Sequence, residues 1–128
     1  MSKKIMVVLG NCRYKGNTEQ LADAFIRGAE DAGHTVQKVD LRKLKVGGCM
    51  GCNACRYGKP CVQRDDFNAL IPEIKTADLS VFASPLHFWT LSSSIIAFIE
   101  RFYAWPRRTK TRPMAAMKNT LSKTAPCS

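Results

Sequence analysis

An unbroken apolar run, Ile5-Met6-Val7-Val8-Leu9, lies near the start of the chain and ends in Gly10. It does not alternate with polar residues, so the strand it predicts has no face to leave to water. Such strands belong to parallel sheets covered on both sides. A polar loop then runs to Asn17, and Thr18 is a suitable N-cap for a helix. Leu21, Ala22, Phe25 and Ala29 fall at helical spacing, and Gly33 is a good stop. Residues 35–40 read as a second strand. A right-handed crossover makes the two strands parallel neighbours.

Residues 41–64 have no clear period and hold four of the six cysteines, so they form an excursion from the sheet. Asp65 or Asp66 can cap a second helix with Phe67, Leu70, Ile71 and Ile74 on one face. Pro72 inside that pattern predicts a kink or a late start. Residues 79–83 read as a third buried strand and 84–90 as a loop. Ile95, Phe98, Ile99 and Phe102 mark a third helix, with Ser92, Ser93 or Ser94 as its cap. The order β-α-β-α-β-α implies an α/β fold with a doubly wound parallel sheet. The 128 residues suffice for one domain. We place it at residues 1–105, with the cysteine motif inserted at 47–64 and a basic tail, partly disordered or a strand stub, at 106–128.

The formal charge of +10 is unevenly spread. Up to Glu100 there are 13 basic and 10 acidic side chains; from Arg101 onward there are 7 basic and none acidic. A basic tail can touch nucleic acid or anionic lipid. No aromatic residue follows Trp105, so the tail offers no base-stacking platform and nucleic acid is not the expected partner. No apolar run is long enough to cross a bilayer. Residues 5–9 are too short for a signal-peptide core. The chain therefore reads as cytoplasmic, where cysteines persist as thiols or metal ligands.

Ligands of open parallel sheets bind beyond the carboxyl ends of the strands. Two loops there carry useful chemistry. The first, residues 10–18, ends at a helix N-terminus, where free N–H groups and the helix dipole attract an anion such as a phosphate monoester. Asn17 and Thr18 can donate hydrogen bonds and Arg13 supplies charge. The same loop also reads as a plain strand–helix turn. The second is Ser84-Pro85-Leu86-His87-Phe88-Trp89. Pro85 stiffens it, and Phe88 and Trp89 offer flat surface for an aromatic ring. The alternative is that both rings are simply core or partner-burying. The cysteines are spaced Cys49-x2-Cys52-x2-Cys55-x5-Cys61, on a chain freed by Gly47, Gly48 and Gly51. Three thiolates within seven residues can converge on one cluster, as in ferredoxin runs. Structural zinc, which favours two separated pairs, and free thiols are the rivals. Cys12 and Cys127 lie outside the motif.

The first loop resembles the Gly-Ser-Pro-Arg-x-x-Gly-Asn-Thr loop of the NADPH-dependent FMN reductase and iron–sulfur flavoprotein family. The second is similar to that family's Ser-Pro-Val-Tyr-Phe segment, and the four cysteines to its cysteine region. The resemblance spans about residues 4–103. It implies a flavodoxin-like fold with FMN as cofactor. By position, Asn11, Arg13, Asn17 and Thr18 match the phosphate loop. Pro85, Leu86, His87 and Phe88 match the flavin-ring loop. Cys49, Cys52, Cys55 and Cys61 match the ligands of a [4Fe–4S] cluster, whose charge Arg56, Lys59 and Arg64 would offset. Asn11 and Cys12 depart from the family's Ser-Pro, which loosens the loop.

The implied function is an FMN-dependent oxidoreductase or electron-transfer flavoprotein. With a cluster it would exchange electrons with an acidic carrier such as ferredoxin. Without one, it would take hydride from NAD(P)H and reduce a flavin or quinone. The alternative of another class is an inactive homologue or a metal-binding module. No side chain is marked as an acid or base. Three of the five strands of such a sheet are evident, in the order 2-1-3. Residues 114–117 are the one apolar run left after Tyr103. The third strand would then be an exposed edge, predicting that the chain binds FMN weakly or needs a partner chain, and that it self-associates into a homo-oligomer through that edge; the alternative is that the tail folds back over it.

Overall fold

The fold is seen in a computed structural model that describes residues 1–104, the side chain of Tyr57 excepted. The basic tail, residues 114–117 and Cys127 lie outside the described residues. Strands β1 (Lys4–Leu9), β2 (Thr35–Asp40) and β3 (Leu79–Ala83) form one sheet in the order β2-β1-β3. Both pairings are parallel, with Val7 opposite Lys38 on one side and Val81 on the other. The expected order 2-1-3 is therefore present. Helices α1 (Asn17–Asp31), α2 (Asp66–Thr76) and α3 (Ser93–Glu100) connect and cover it.

The continuous apolar run does what its lack of alternation requires. Ile5, Val7 and Leu9 pack on one face with Ala22 of α1, while Met6 and Val8 pack on the other with Phe67 and Ile74 of α2 and Ile95 and Phe98 of α3. Phe67 meets Phe98 edge-on at 5.2 Å between ring centroids, and Phe102 at 5.8 Å. This geometry is favoured by the ring quadrupoles and ties α2 to α3.

Some local expectations hold and others need correction. Thr18 is not the cap of α1. Gly16 is, with no side-chain cap bond, and Thr18 lies within the first turn. The buried stripe of α1 is Ala22, Ile26 and Ala29, at spacings of four and three. Leu21 and Phe25 lie about 100° round the helix from that stripe and are exposed. Asp65 caps α2 through the Phe67 N–H, and the helix starts at once and runs through Pro72. Ser92 caps α3 by position without a side-chain cap bond. Strand β3 is not buried on both faces. Among the described residues it pairs with β1 alone, and Leu79 and Phe82 are partly open to solvent.

Candidate functional site

The two loops identified in the sequence leave β1 and β3 side by side. The Gly10 N–H donates to the Ala83 carbonyl at 2.9 Å, extending the β1–β3 ladder by one step. Helix α3 then closes on both loops. The Ser92 N–H donates to Ser84 Oγ at 2.8 Å, and Ser94 Oγ donates to the Gly10 carbonyl at 3.4 Å. Ile95 packs so tightly that a Cβ on Gly10 would sit 2.1 Å from its Cγ1. Gly10 is needed for that approach and not for any special φ.

Asn11 follows directly and is buried. Its Nδ2 donates to the Arg13 carbonyl, curling the loop, while its Oδ1 has no partner among the described residues. A buried acceptor left unpaired is costly, and a ligand hydroxyl would satisfy it. Arg13 and Asn17 are exposed and Thr18 is half-buried. Because Gly16 brings no capping side chain, the first turn of α1 keeps its N–H groups free of one. These features fit a phosphate with a hydroxylated tail.

Three residues that the sequence reading missed hold this loop from behind. Glu19 Oε2 accepts the Lys15 N–H at 2.8 Å and meets Arg42, which also grips Asp40 at the end of β2. The Arg42 guanidinium lies 3.9 Å from the centre of the Tyr14 ring. The Lys15 N–H, helped by Arg42, lowers the Glu19 pKa to about 2. Arg42 likewise holds the Asp40 carboxyl below its ordinary range. The signal for Glu19 was present: a glutamate three residues after a helix cap commonly reaches back to a backbone N–H.

In the second loop Pro85 is half-buried, while Leu86, His87 and Phe88 are exposed. His87 and Thr90 exchange two backbone hydrogen bonds of 2.9 and 3.0 Å. The two central residues, Phe88 (φ 45°) and Trp89 (φ 64°), both have left-handed backbone. That is a two-residue turn which ordinarily takes Asn-Gly. Here it lifts two rings out of the protein, 95% and 88% exposed. They are not core aromatics.

The cysteine segment lies on the far end of α3. Cys49, Cys52, Cys55 and Cys61 are free thiols that line one cavity of about 10 Å³, room for a single water. Glu100 and Arg101 share its lining. The donor chemistry suits a soft metal, but the spacing does not. Among the described residues no three His, Cys, Asp or Glu side chains are placed to hold one metal ion. As the segment stands, it does not fit a cluster. Arg101, counted in sequence with the basic end, is 1% exposed. It forms a fork with both oxygens of Asp65 and donates to the Gly47 carbonyl at 3.0 Å. Burial raises the Asp65 carboxyl, but the Arg101 and Gly47 hydrogen bonds outweigh it and hold the group below its ordinary range. Arg101 follows Phe98 by three residues, so it lies on the apolar face. A charge there signals a buried partner.

The sequence pattern of the NADPH-dependent FMN reductase family matches residues 3–124. The chain belongs to that family. The match continues past Tyr103, where the resemblance of individual motifs fades. Among the relatives of this family member, an iron–sulfur flavoprotein of Archaeoglobus fulgidus is 31% identical over 105 residues, 82% of this chain and 48% of the relative. An iron–sulfur flavoprotein of Methanosarcina thermophila is 26% identical over 98 residues, 77% of this chain and 51% of the relative. The chain thus spans about half the length of these relatives. Solved structures share the fold. A flavone reductase superposes with a TM-score of 0.61 at 22% identity, covering 97% of this chain and 38% of that one. RosB, solved with 8-demethyl-8-formylriboflavin-5'-phosphate, does so with 0.64 at 16%, covering 88% and 45%. The architecture is the flavodoxin-like α/β sheet. No helix among the described residues is long and apolar enough to cross a membrane.

Proposed function

We propose that this chain supplies the FMN site of a flavin-dependent oxidoreductase. One observation carries the reading. A loop ending at an uncapped helix N-terminus is hydrogen-bonded through Gly10 and Ala83 to a loop that displays exposed aromatic rings. Asn17, Thr18 and Arg13 would hold the phosphate, with the N-terminal dipole of α1 behind them. The unpaired Asn11 Oδ1 would accept from the ribityl chain. Pro85, Leu86, His87 and Phe88 would line the ring. Bound FMN would supply hydride and single-electron chemistry. The residues of this chain bind, orient and flank it. His87 is exposed beside the ring-binding surface, where it can donate a hydrogen bond. NAD(P)H is the reductant that the family's name suggests, and a flavin or quinone the acceptor.

The cysteine segment supports a finer reading. Four thiols on one cavity, together with relatives named iron–sulfur flavoproteins, favour a [4Fe–4S] cluster. It would form only if residues 50–60 moved to make room for it in that cavity. An acidic carrier such as ferredoxin, a homo-oligomeric state through the open β3 edge and a cytoplasmic, thiol-preserving location complete the proposal.

Titration with FMN and with riboflavin tests the site. The phosphate contacts are charge-assisted, so FMN should bind about ten- to hundredfold more tightly. Equal affinities would remove the phosphate site. Iron and sulfide near four each per chain in anaerobic protein would support the cluster, and stoichiometric zinc without iron would exclude it.

A further inference from the structure

Helix α3 touches both candidate sites, one at each end. At its start, Ser92 and Ser94 bind the two flavin loops and Ile95 packs on Gly10. At its finish, Glu100 Oε2 accepts the Cys49 N–H at 3.1 Å. A Cβ on Gly48 would lie 2.8 Å from that oxygen, so the carboxylate is pressed against the Gly48–Cys49 backbone. Arg101 donates to the Gly47 carbonyl while Asp65, its ion-pair partner, accepts the Gly47 N–H at 3.1 Å. The Gly47 peptide groups are thus held from both sides. The returning end of the segment is anchored as well: Gln63 Nε2 donates to the Gly48 carbonyl at 2.9 Å. Between these anchors, Gly51 N–H donates to Cys49 Sγ and Arg56 N–H to Asn53, both within the segment.

We propose that Glu100 and Arg101 are positioning residues, which fix the entry of the cysteine segment at a set distance from the flavin loops through the rigid body of α3. The inference rests on the flavin reading above. Eight residues of α-helix are about 12 Å long, and a hydrogen-bonded helix does not stretch. Cys49 is therefore referred to Gly10 by a short rod. The first cysteine is thereby fixed in place through its backbone. Glu100 acts on Cys49 through the backbone and needs no metal to do so.

Glu100 is exposed, so its variants should fold. The test is amide hydrogen exchange on the whole chain, with and without FMN. In the absence of FMN, Glu100→Ala should speed exchange at Cys49 about fivefold, the factor that one net hydrogen bond of about 1 kcal/mol corresponds to. Glu100→Gln keeps an acceptor oxygen and should restore the slow rate. In the unmodified chain, FMN should slow exchange at residues 10–18 and also at 47–49; in Glu100→Ala the second effect should be lost while the first remains. Protection confined to residues 10–18 in the unmodified chain would overturn the positioning role and leave the FMN site standing. No protection at residues 10–18 would sink the FMN site, and the coupling with it. Identical exchange at Cys49 in the Ala and Gln variants would overturn the anchor itself.

Discussion

The proposed flavin loops and the cysteine segment sit at opposite ends of α3, and they are held by different means. The flavin loops are continuous with the sheet. Their restraints are a ladder hydrogen bond from Gly10, serine contacts and the close seating of Ile95 on a glycine. The cysteine segment is off the sheet and hangs on side chains, chiefly Asp65, Gln63, Glu100 and Arg101. A loop built into the backbone ladder is formed whenever the sheet is formed. A loop hung on charged side chains can change its shape without cost to the sheet. The first suits a ligand met by a ready-made site, and the second a set of ligands that must gather.

That comparison can be broken most severely at Arg101. Arg101→Met removes one member of a buried pair and strands the Asp65 carboxylate, so unfolding by denaturant should show a loss of about 3–5 kcal/mol. A loss below 1 kcal/mol would mean that Asp65 reaches water and that the segment is hung less firmly than described. Gly10→Ala attacks the other region. The added methyl meets Ile95, so stability should drop by about 1–3 kcal/mol and FMN affinity with it, while maleimide labelling of Cys52 and Cys55, beyond the anchored Cys49, stays unchanged. Altered labelling would show that the two regions are not separately held.

The smallest effect should come from Glu19, which braces the phosphate loop at the surface. Its folded pKa of about 2 lies below the ordinary 4.5. Its contribution is therefore complete above about pH 4.5 and is lost as the pH falls toward 2. Melting of the chain and of Glu19→Gln should differ at pH 7 and converge near pH 2. A difference that persists at pH 2 would assign the effect to packing instead of charge.

The sheet was legible because its signals are local. The unalternated run before Gly10, the limits of β2 and β3, and Asp65 as a cap all follow from neighbours within a few residues. The order β2-β1-β3 was legible too, from the succession of strands and helices. What escaped were partnerships across the chain. Arg101 and Asp65 are 36 residues apart, and Arg42 and Glu19 are 23 apart. No pattern of period or spacing joins such pairs, and their place is set only when helices dock. Arg101 is the clearest case. As a residue type it joined the basic end, yet the docked helix makes it the least exposed charge among the described residues. The helix phase of α1 was misjudged for a related reason. Leu21 and Phe25 are as apolar as Ile26, and only the position of the sheet decides which of them it covers.

The Phe88–Trp89 turn sets stability and function against each other. A left-handed backbone costs a bulky residue on the order of 1–3 kcal/mol, a penalty that glycine escapes. Random substitution screened for a higher melting temperature would therefore drive these two positions toward Asn and Gly. The improved proteins would have lost the surface proposed to receive the ring. For anyone engineering this chain, a hardier variant altered at this turn is the first one to check for loss of flavin.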